Sequence, residues 1–595
     1  MNFRAGTYSG VTLKPVNSGS GSSNRITYIA YSGDAPSVPI ISAGNPGFWI
    51  GNGNTITYFR MSGFTFNNTT TLIGRVDSGS SYNEIDNNNF NNTDGGAGLP
   101  YQINISGAAT QQWTTNNWVH GNTFTMSGQA DGTGGKGCTD GGGDMLLLGV
   151  DYGTYAGNTV NNDNNNTIEN NVFNYSPHDD IDNYGLYNVI RSNMFHNEPW
   201  SSGCADNPTT GSYNSYTYSG SNPNFGSYNG SYGHRNLQLS EDYNRTATYV
   251  LFEGNRSGFA GVNQANDGAD DLSLAAPQNI IRYNFFYAGM NPGILLKYQF
   301  SSGLNSGGHG GTYNRIYNNT FYQNGYGYPW AWPTADGGSC ALSYCPWPGS
   351  AISIYEGCGG SAGPGGCGSG QGNVLINNIF YLSAGYTNYG WDVIDKGTPT
   401  NGWEEINVAM HNWCSGPQTG GDTDSHGNLG CSASGNPLFN NPSLSNPSST
   451  TLPDLSLQSG SGVINGGTYL TTATNSGSSS TTLTVADALY FQDGTWGSAL
   501  AKATAGLCGT MQADWIAIGT VTNVVQISAV SYGTYSSPAG TITLASPMTW
   551  SNGASIWLYR KSDGALVLAG AAPDYGASEY GGSVPPLCLQ VTAVN

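Results

Sequence analysis

Apolar residues along this chain come in short alternating runs, and many runs end in a recurring tripeptide. The motif is Asn, any residue, Phe. It reads Asn122-Thr123-Phe124, Asn171-Val172-Phe173, Asn193-Met194-Phe195, Asn284-Phe285-Phe286, Asn319-Thr320-Phe321 and Asn378-Ile379-Phe380, with a copy at Asn89-Phe90 that looks one residue short. Asn171 and Asn193 are 193 − 171 = 22 residues apart. A repeat near that length, built from short strands and Asn/Gly turns, predicts a solenoid whose coils bury a core only by stacking. Each motif Phe is predicted inside, and each Asn at a turn, its amide bonding the coils above and below.

The same alternation divides the chain. Val11-Thr12-Leu13, Ile26-Thr27-Tyr28-Ile29 and Ile56-Thr57-Tyr58-Phe59 are strands of the first coils, and residues 1–470 are predicted to form the solenoid. Three excursions interrupt it, at 126–160, 198–232 and 325–372. Long loops on a rigid scaffold are where binding residues collect. From 471 to 562 the pattern becomes Thr481-Thr482-Leu483-Thr484-Val485, Val524-Val525-Gln526-Ile527, Thr541-Ile542-Thr543-Leu544 and Ile556-Trp557-Leu558-Tyr559. Strands with turns every ~10 residues predict a small antiparallel β unit, and residues 563–595 close the chain. No helical periodicity runs beyond a couple of turns. The fold class is all-β.

Composition narrows the partners. Glycine contributes 88 of 595 residues, about twice its usual ~7% share. Only 9% of residues are charged while 12% are aromatic, too aromatic for a disordered chain. Net charge is −20, with 17 Lys plus Arg. Nucleic acid needs basic residues to neutralise phosphate, so it is excluded as a partner, and an anionic polysaccharide requires a bridging cation such as calcium. No apolar run is long enough to span a bilayer. Ten cysteines point to an oxidising, extracellular compartment. The pairs Cys340/Cys345, Cys358/Cys367, Cys414/Cys431, Cys138/Cys204 and Cys508/Cys588 are available, none with zinc-type spacing. Of these, Cys414–Cys431 is the bridge expected first. Met1 is followed at once by strand-like sequence with no export signal. The expectation is an uncapped first coil, open to end-to-end self-association.

The Asn-x-Phe coils resemble right-handed parallel β-helix proteins of the pectate-lyase-like superfamily. Arg4-Ala5-Gly6-Thr7-Tyr8 with Ile26-Thr27-Tyr28-Ile29-Ala30-Tyr31 is similar to the opening coils of secreted bacterial members. Val463-Ile464-Asn465-Gly466-Gly467 and Pro573-Asp574-Tyr575-Gly576-Ala577-Ser578-Glu579-Tyr580 resemble how many of them close. The resemblance implies the fold and leaves activity open, because lyases, hydrolases, epimerases and non-catalytic fibres share it.

Candidate chemistry comes from aligning the coils. Ile181 lies 193 − 181 = 12 residues before Asn193, and Leu272 lies 284 − 272 = 12 before Asn284. With Leu237 between them, Asp179, Arg235 and Asp270 fall in one column and Asp180, Asn236 and Asp271 in the next, with His178 and His234 beside them. Strands stack ~4.8 Å apart, so Asp180 and Asp271 are ~9.6 Å apart at the backbone, compatible with the ~6.5–9.5 Å carboxyl separation of inverting glycosidases. The preferred expectation is a secreted glycoside hydrolase with Asp180 and Asp271 as acid and base, tuned by Asp179, Asp270 and Arg235, with His178 and His234 binding substrate. No cofactor is required in that reading. The alternative is a calcium-dependent polysaccharide lyase in which Asp182, Asp270 and Asp271 hold calcium and Lys297 is the base. Chondroitinase B and the alginate lyases similar to it use a strand Lys as base with an Arg on a following coil. Here Gly307-Gly308-His309-Gly310 stands where such enzymes carry Arg-His-Gly, so His309 matches and the Arg does not. Trp330, Trp332 and Trp347 sit in a Pro/Gly-rich excursion and are candidates to stack on sugar rings or to cover the solenoid wall. A non-catalytic fibre or adhesin is the third reading.

Overall fold

The computed structural model describes residues 1–44, 46–67, 72–92, 101–106, 113–126, 129–130, 136–137, 144–149, 163–174, 179–196, 235–239, 241–242, 245–258, 271–287, 289, 292–296, 310–324, 350–354, 372–381, 391–395, 408–414, 431–442, 452–504, 509–534 and 537–582. Three long parallel sheets run the length of the coils, with 12, 13 and 10 strands among the described residues. Each coil contributes one strand to each sheet, so the chain forms a parallel β-helix, as expected. Parallel crossovers of this kind are right-handed.

The motif residues do what their chemistry predicts. Phe90, Phe124, Phe173, Phe195, Phe286, Phe321 and Phe380 are all fully buried. Neighbouring rings stack coil on coil, as in Phe124–Phe173 at 4.6 Å and Phe286–Phe321 at 4.9 Å between centroids. At the corner between the first and second sheets the side-chain amide of each asparagine donates to the next: Asn88 to Asn122, Asn122 to Asn171, Asn171 to Asn193, Asn193 to Asn255, Asn255 to Asn284, Asn284 to Asn319, Asn319 to Asn378 and Asn378 to Asn412. The first copy is complete after all, as Asn88-Asn89-Phe90. Asn255 keeps its place in the ladder although Ser257 replaces the aromatic ring, paired with Phe195 on one side and Phe286 on the other. Five residues before the motif Asn a second ladder runs through Asn83, Asn117 and Asn166, breaks at Val250, and runs again through Asn314 and Asn373. Phe195→Ala should cost ~3–5 kcal/mol by opening a cavity that stacked neighbours cannot fill. Chemical denaturation of the variant measures it.

Parallel pairing ends at Cys431–Ser434, where Cys414 and Cys431 are disulfide-bonded as expected. The other cysteines lie outside the described residues. An antiparallel pair, Phe439–Asn441 with Asp454–Leu457, packs with Trp413, Val463 and Tyr575 in one apolar cluster beyond the last coil.

The antiparallel unit is a six-stranded sheet in the order Thr471–Thr472, Ser555–Arg560, Trp515–Ile518, Val524–Ser531, Gly540–Trp550 and Gly477–Val485. A bridge between Ala473 and Val485 joins the first strand to the last, closing the sheet into a small barrel without free edges. The barrel covers the outer face of the first sheet. Val189, Leu251, Ile280 and Tyr317 of the coils share a core with Trp496, Met511 and Tyr490. Beside them a fully buried charged row crosses the junction. Arg191 binds Glu169, and Arg282 binds both Glu253 and Asp514. Ser562 of the barrel donates to Glu253.

Candidate active site on the third sheet

Two strands of the third sheet, Asp144–Leu148 and Ser350–Ile354, lie within the stretches 126–160 and 325–372 read from sequence as excursions, and the register of this sheet decides which side chains meet. Asp179 pairs with Arg235, Ile181 with Leu237, and Leu237 with Leu272. Asp180, Asn236 and Asp271 therefore share a column (180 + 56 = 236; 236 + 35 = 271). Leu272 pairs in turn with Ile294.

That column lies against the inside of the coil at its corner with the second sheet. Met145 and Ala351, which occupy it on other coils, are in the apolar core. A Cβ added at Gly293 would approach the Phe321 ring to 2.6 Å. Asp180 and Asp271 are both 0% exposed. Asp271 Oδ2 accepts a 2.7 Å hydrogen bond from Asn324 Nδ2, which tethers it to the end of the second-sheet strand Thr320–Tyr322. Asp180 differs. Neither of its carboxylate oxygens has a hydrogen-bond partner among the described residues. Burial first, and then the Asp179 carboxylate, push its pKa well above the usual carboxylate range.

A further acid joins this pair. Strand Asp144–Leu148 pairs with Asp179–Asn183 through Leu146 and Ile181, so Asp144 falls opposite Asp179 (144 + 35 = 179). Asp144 is 5% exposed and Asp179 is 0% exposed. Neighbouring rungs are ~4.8 Å apart, so Asp144, Asp179 and Asp180 concentrate three carboxylates where water is excluded. Of the three, Asp180 is the carboxylate that needs a proton or a cation. Asp144 was missed from sequence because it follows a Gly-rich run and belongs to no Asn-x-Phe copy. The signal available was its place two residues before the apolar Leu146, matching Asp179 before Ile181.

Asp182 is 6% exposed and lies on the outward side of the same strand, paired with Leu147 and Gln238. Arg235 is placed through its backbone pairing with Asp179. His178, His234, Asp270, Lys297, His309, Trp330, Trp332 and Trp347 lie outside the described residues.

Ligand atoms of Glu84, Asp86 and His120 on the first sheet also come within 4.8 Å of one another. That group is already neutralised. Arg60 forks onto Asp86 with bonds of 2.8 and 2.7 Å, Arg25 pairs with Glu84, and His120 Nε2 lies 3.1 Å from Glu84 Oε1. The guanidiniums of Arg25 and Arg60 already supply the positive charge that a cation would bring.

No family model and no curated protein matches this sequence. Solved structures of similar fold include the PL6 family alginate lyase AlyGC, at 12% identity over 70% of this chain and 48% of that one with a TM-score of 0.39. Pectate lyase Pel9A matches at 14% identity over 79% of this chain and 83% of that one, with a TM-score of 0.34. The PL6 family polysaccharide lyase Pedsa3628 from Pseudopedobacter saltans matches at 13% identity over 71% and 89%, with a TM-score of 0.37. The chain spans about half the length of AlyGC, 48%. No helix among the described residues is long and apolar enough to cross a membrane.

Proposed function

We propose that this protein cleaves an acidic polysaccharide by β-elimination, with Lys297 as the base and calcium held by acids of the third sheet, Asp180 among them. The observation that carries this reading is Asp180. Both its oxygens are buried without a hydrogen-bond partner, beside Asp179. Leaving an ionised carboxylate in that state costs several kcal/mol. A proton or a calcium ion would relieve it, carboxylate oxygen being a ligand that calcium takes. When bound, calcium would neutralise Asp180 inside the coil, a structural rather than a substrate-contacting role, since that carboxylate is 0% exposed.

Lys297 is the residue that follows strand Ile294–Leu296, whose register with Leu272–Leu274 and Ser350–Ile354 is fixed. Its neutral amine takes the proton from C5 of the uronate. The C–H electron pair becomes the C4–C5 double bond, the C4–O4 bond breaks, and the departing oxygen takes a proton from water. Asp182 and Asp271 flank the acids, the first facing outward and the second fixed by Asn324.

Hydrolysis by Asp180 and Asp271 is the second reading, and the raised Asp180 favours it as a proton donor. Burial works against it, because an acid–base pair must touch the glycosidic oxygen and the attacking water, while both carboxyls are 0% exposed. Product analysis on a panel of polyuronates and neutral glycans separates the readings. Elimination gives an ultraviolet-absorbing unsaturated uronate at each new end, hydrolysis gives reducing ends without that absorbance, and a fibre gives neither. Reducing ends without absorbance would overturn the lyase reading.

A further inference from the structure

One outward column of the third sheet runs unbroken through Trp49, Arg75, Asn104, Leu147, Asp182, Gln238, Ser273 and Leu295. From Asn104 on, its described side chains are buried, whereas Trp49 and Arg75 are half-buried and Lys14 beside them is exposed. The Lys14 amine lies 5.2 Å from the centre of the Trp49 ring, and the Arg75 guanidinium lies 5.5 Å from it. One buried carboxylate holds the group together. Asp77 accepts a 2.9 Å hydrogen bond from Trp49 Nε1 and lies 3.0 Å from Arg75 Nε. Its other oxygen accepts from the Asn52 backbone at 3.1 Å.

We infer that Lys14, Trp49 and Arg75 form an accessory subsite for a uronate residue of a long substrate chain, an inference that rests on the acidic-polysaccharide reading above. In a protein of net charge −20 with only 17 basic residues, two cations gathered on one accessible indole reverse the local charge. The ring lies between the two cations, one on the rung to either side, and holds both in place at the surface. Lysine and arginine offer charge-assisted hydrogen bonds to a carboxylate, and the guanidinium fork matches its two oxygens. Asp77 fixes the ring and the guanidinium in advance, which reduces what binding must order. Trp49 is four rungs from Asp182 along the column, ~19 Å, a span several sugar residues long. The subsite therefore acts on polymers and is out of reach for short oligosaccharides bound at the acids.

Affinity electrophoresis tests this without relying on turnover. Full-length protein carrying Lys297→Ala is run through gels containing alginate or polygalacturonate and through gels containing neutral dextran. The expected result is retardation by a polyuronate and none by dextran, with severalfold weaker retardation once Lys14→Gln and Arg75→Gln are added. Trp49→Ala should act in the same direction without changing charge, and circular dichroism checks that each variant is folded. In the active protein the Lys14→Gln, Arg75→Gln pair should raise KM on polymer severalfold, with kcat and activity on short oligosaccharides unchanged. Equal retardation in parent and variants, equal retardation by dextran, or no retardation at all would overturn the subsite. A polymer cleaved normally by the variants sinks the subsite and spares the proposed function; a polymer bound here but never cleaved does the reverse.

Discussion

Lys297→Ala should lower turnover on a polyuronate by ~10²–10⁴-fold, the usual contribution of a positioned base, with the melting temperature unchanged. The size of the effect follows from the step itself. The C5 proton of a uronate is weakly acidic, so its removal dominates the barrier, and water is a poor substitute for a fixed amine. KM should change little, because the lysine is needed when the proton moves rather than when the chain docks. Asp180→Asn should fail differently, through loss of the cation, and excess calcium should restore part of its activity. Steady-state kinetics on one polymer, with and without added calcium, distinguishes the two variants. If Lys297→Ala keeps parental kcat, the base lies elsewhere.

Arg282→Ala should cost ~3–5 kcal/mol, the usual result of removing one member of a buried charge network. Arg282 is fully buried, and its guanidinium bonds Asp514 through both terminal nitrogens at 2.7 Å, Glu253 through Nε at 2.7 Å and the Tyr317 hydroxyl at 2.9 Å. Truncation leaves Asp514 buried without its counter-ion and Glu253 with only the Lys561 amine 4.0 Å away. Asp514 belongs to the barrel and Glu253 to the first sheet, so the loss falls on the junction between them. Arg282→Lys should recover only part of it, since an ammonium cannot fork onto Asp514 while holding Glu253. Thermal unfolding should show the barrel separating at a lower temperature than the coils. A single transition at the parental temperature would mean that the apolar contacts of Trp496 and Tyr490 hold the junction unaided.

The coil was legible in the sequence because its geometry repeats. One strand position returns in every coil, so Phe195 and Phe286 declare themselves by motif, and the count back from Asn193 and Asn284 is enough to pair Ile181 with Leu237 and Leu272. The Asn-x-Phe motif also hid information. Asn83, Asn117 and Asn166 stand five residues before Asn88, Asn122 and Asn171, and that second spacing marks the other ladder. Asp144 escaped because excursions of unequal length separate the coils, so counting from one motif to the next loses register. Burial was the least legible property. Asp180 and Asp271 follow the alternation of an exposed strand face, yet at the corner between sheets the chain turns that position toward the Phe rings, and only the register beside Met145, Gly293 and Ala351 shows it. The barrel's strands were visible as alternation, whereas its closure through Ala473 and Val485 and its docking by Asp514 are long-range facts that no local pattern encodes.

The most direct test of the central claim is the activity of purified protein on a polyuronate, followed by ultraviolet absorbance, after exhaustive chelation and again after calcium is returned. The proposed function predicts that absorbance stops growing on chelation, returns with calcium, and does so only at much higher calcium in Asp180→Asn. Undiminished growth of absorbance in excess chelator would contradict it.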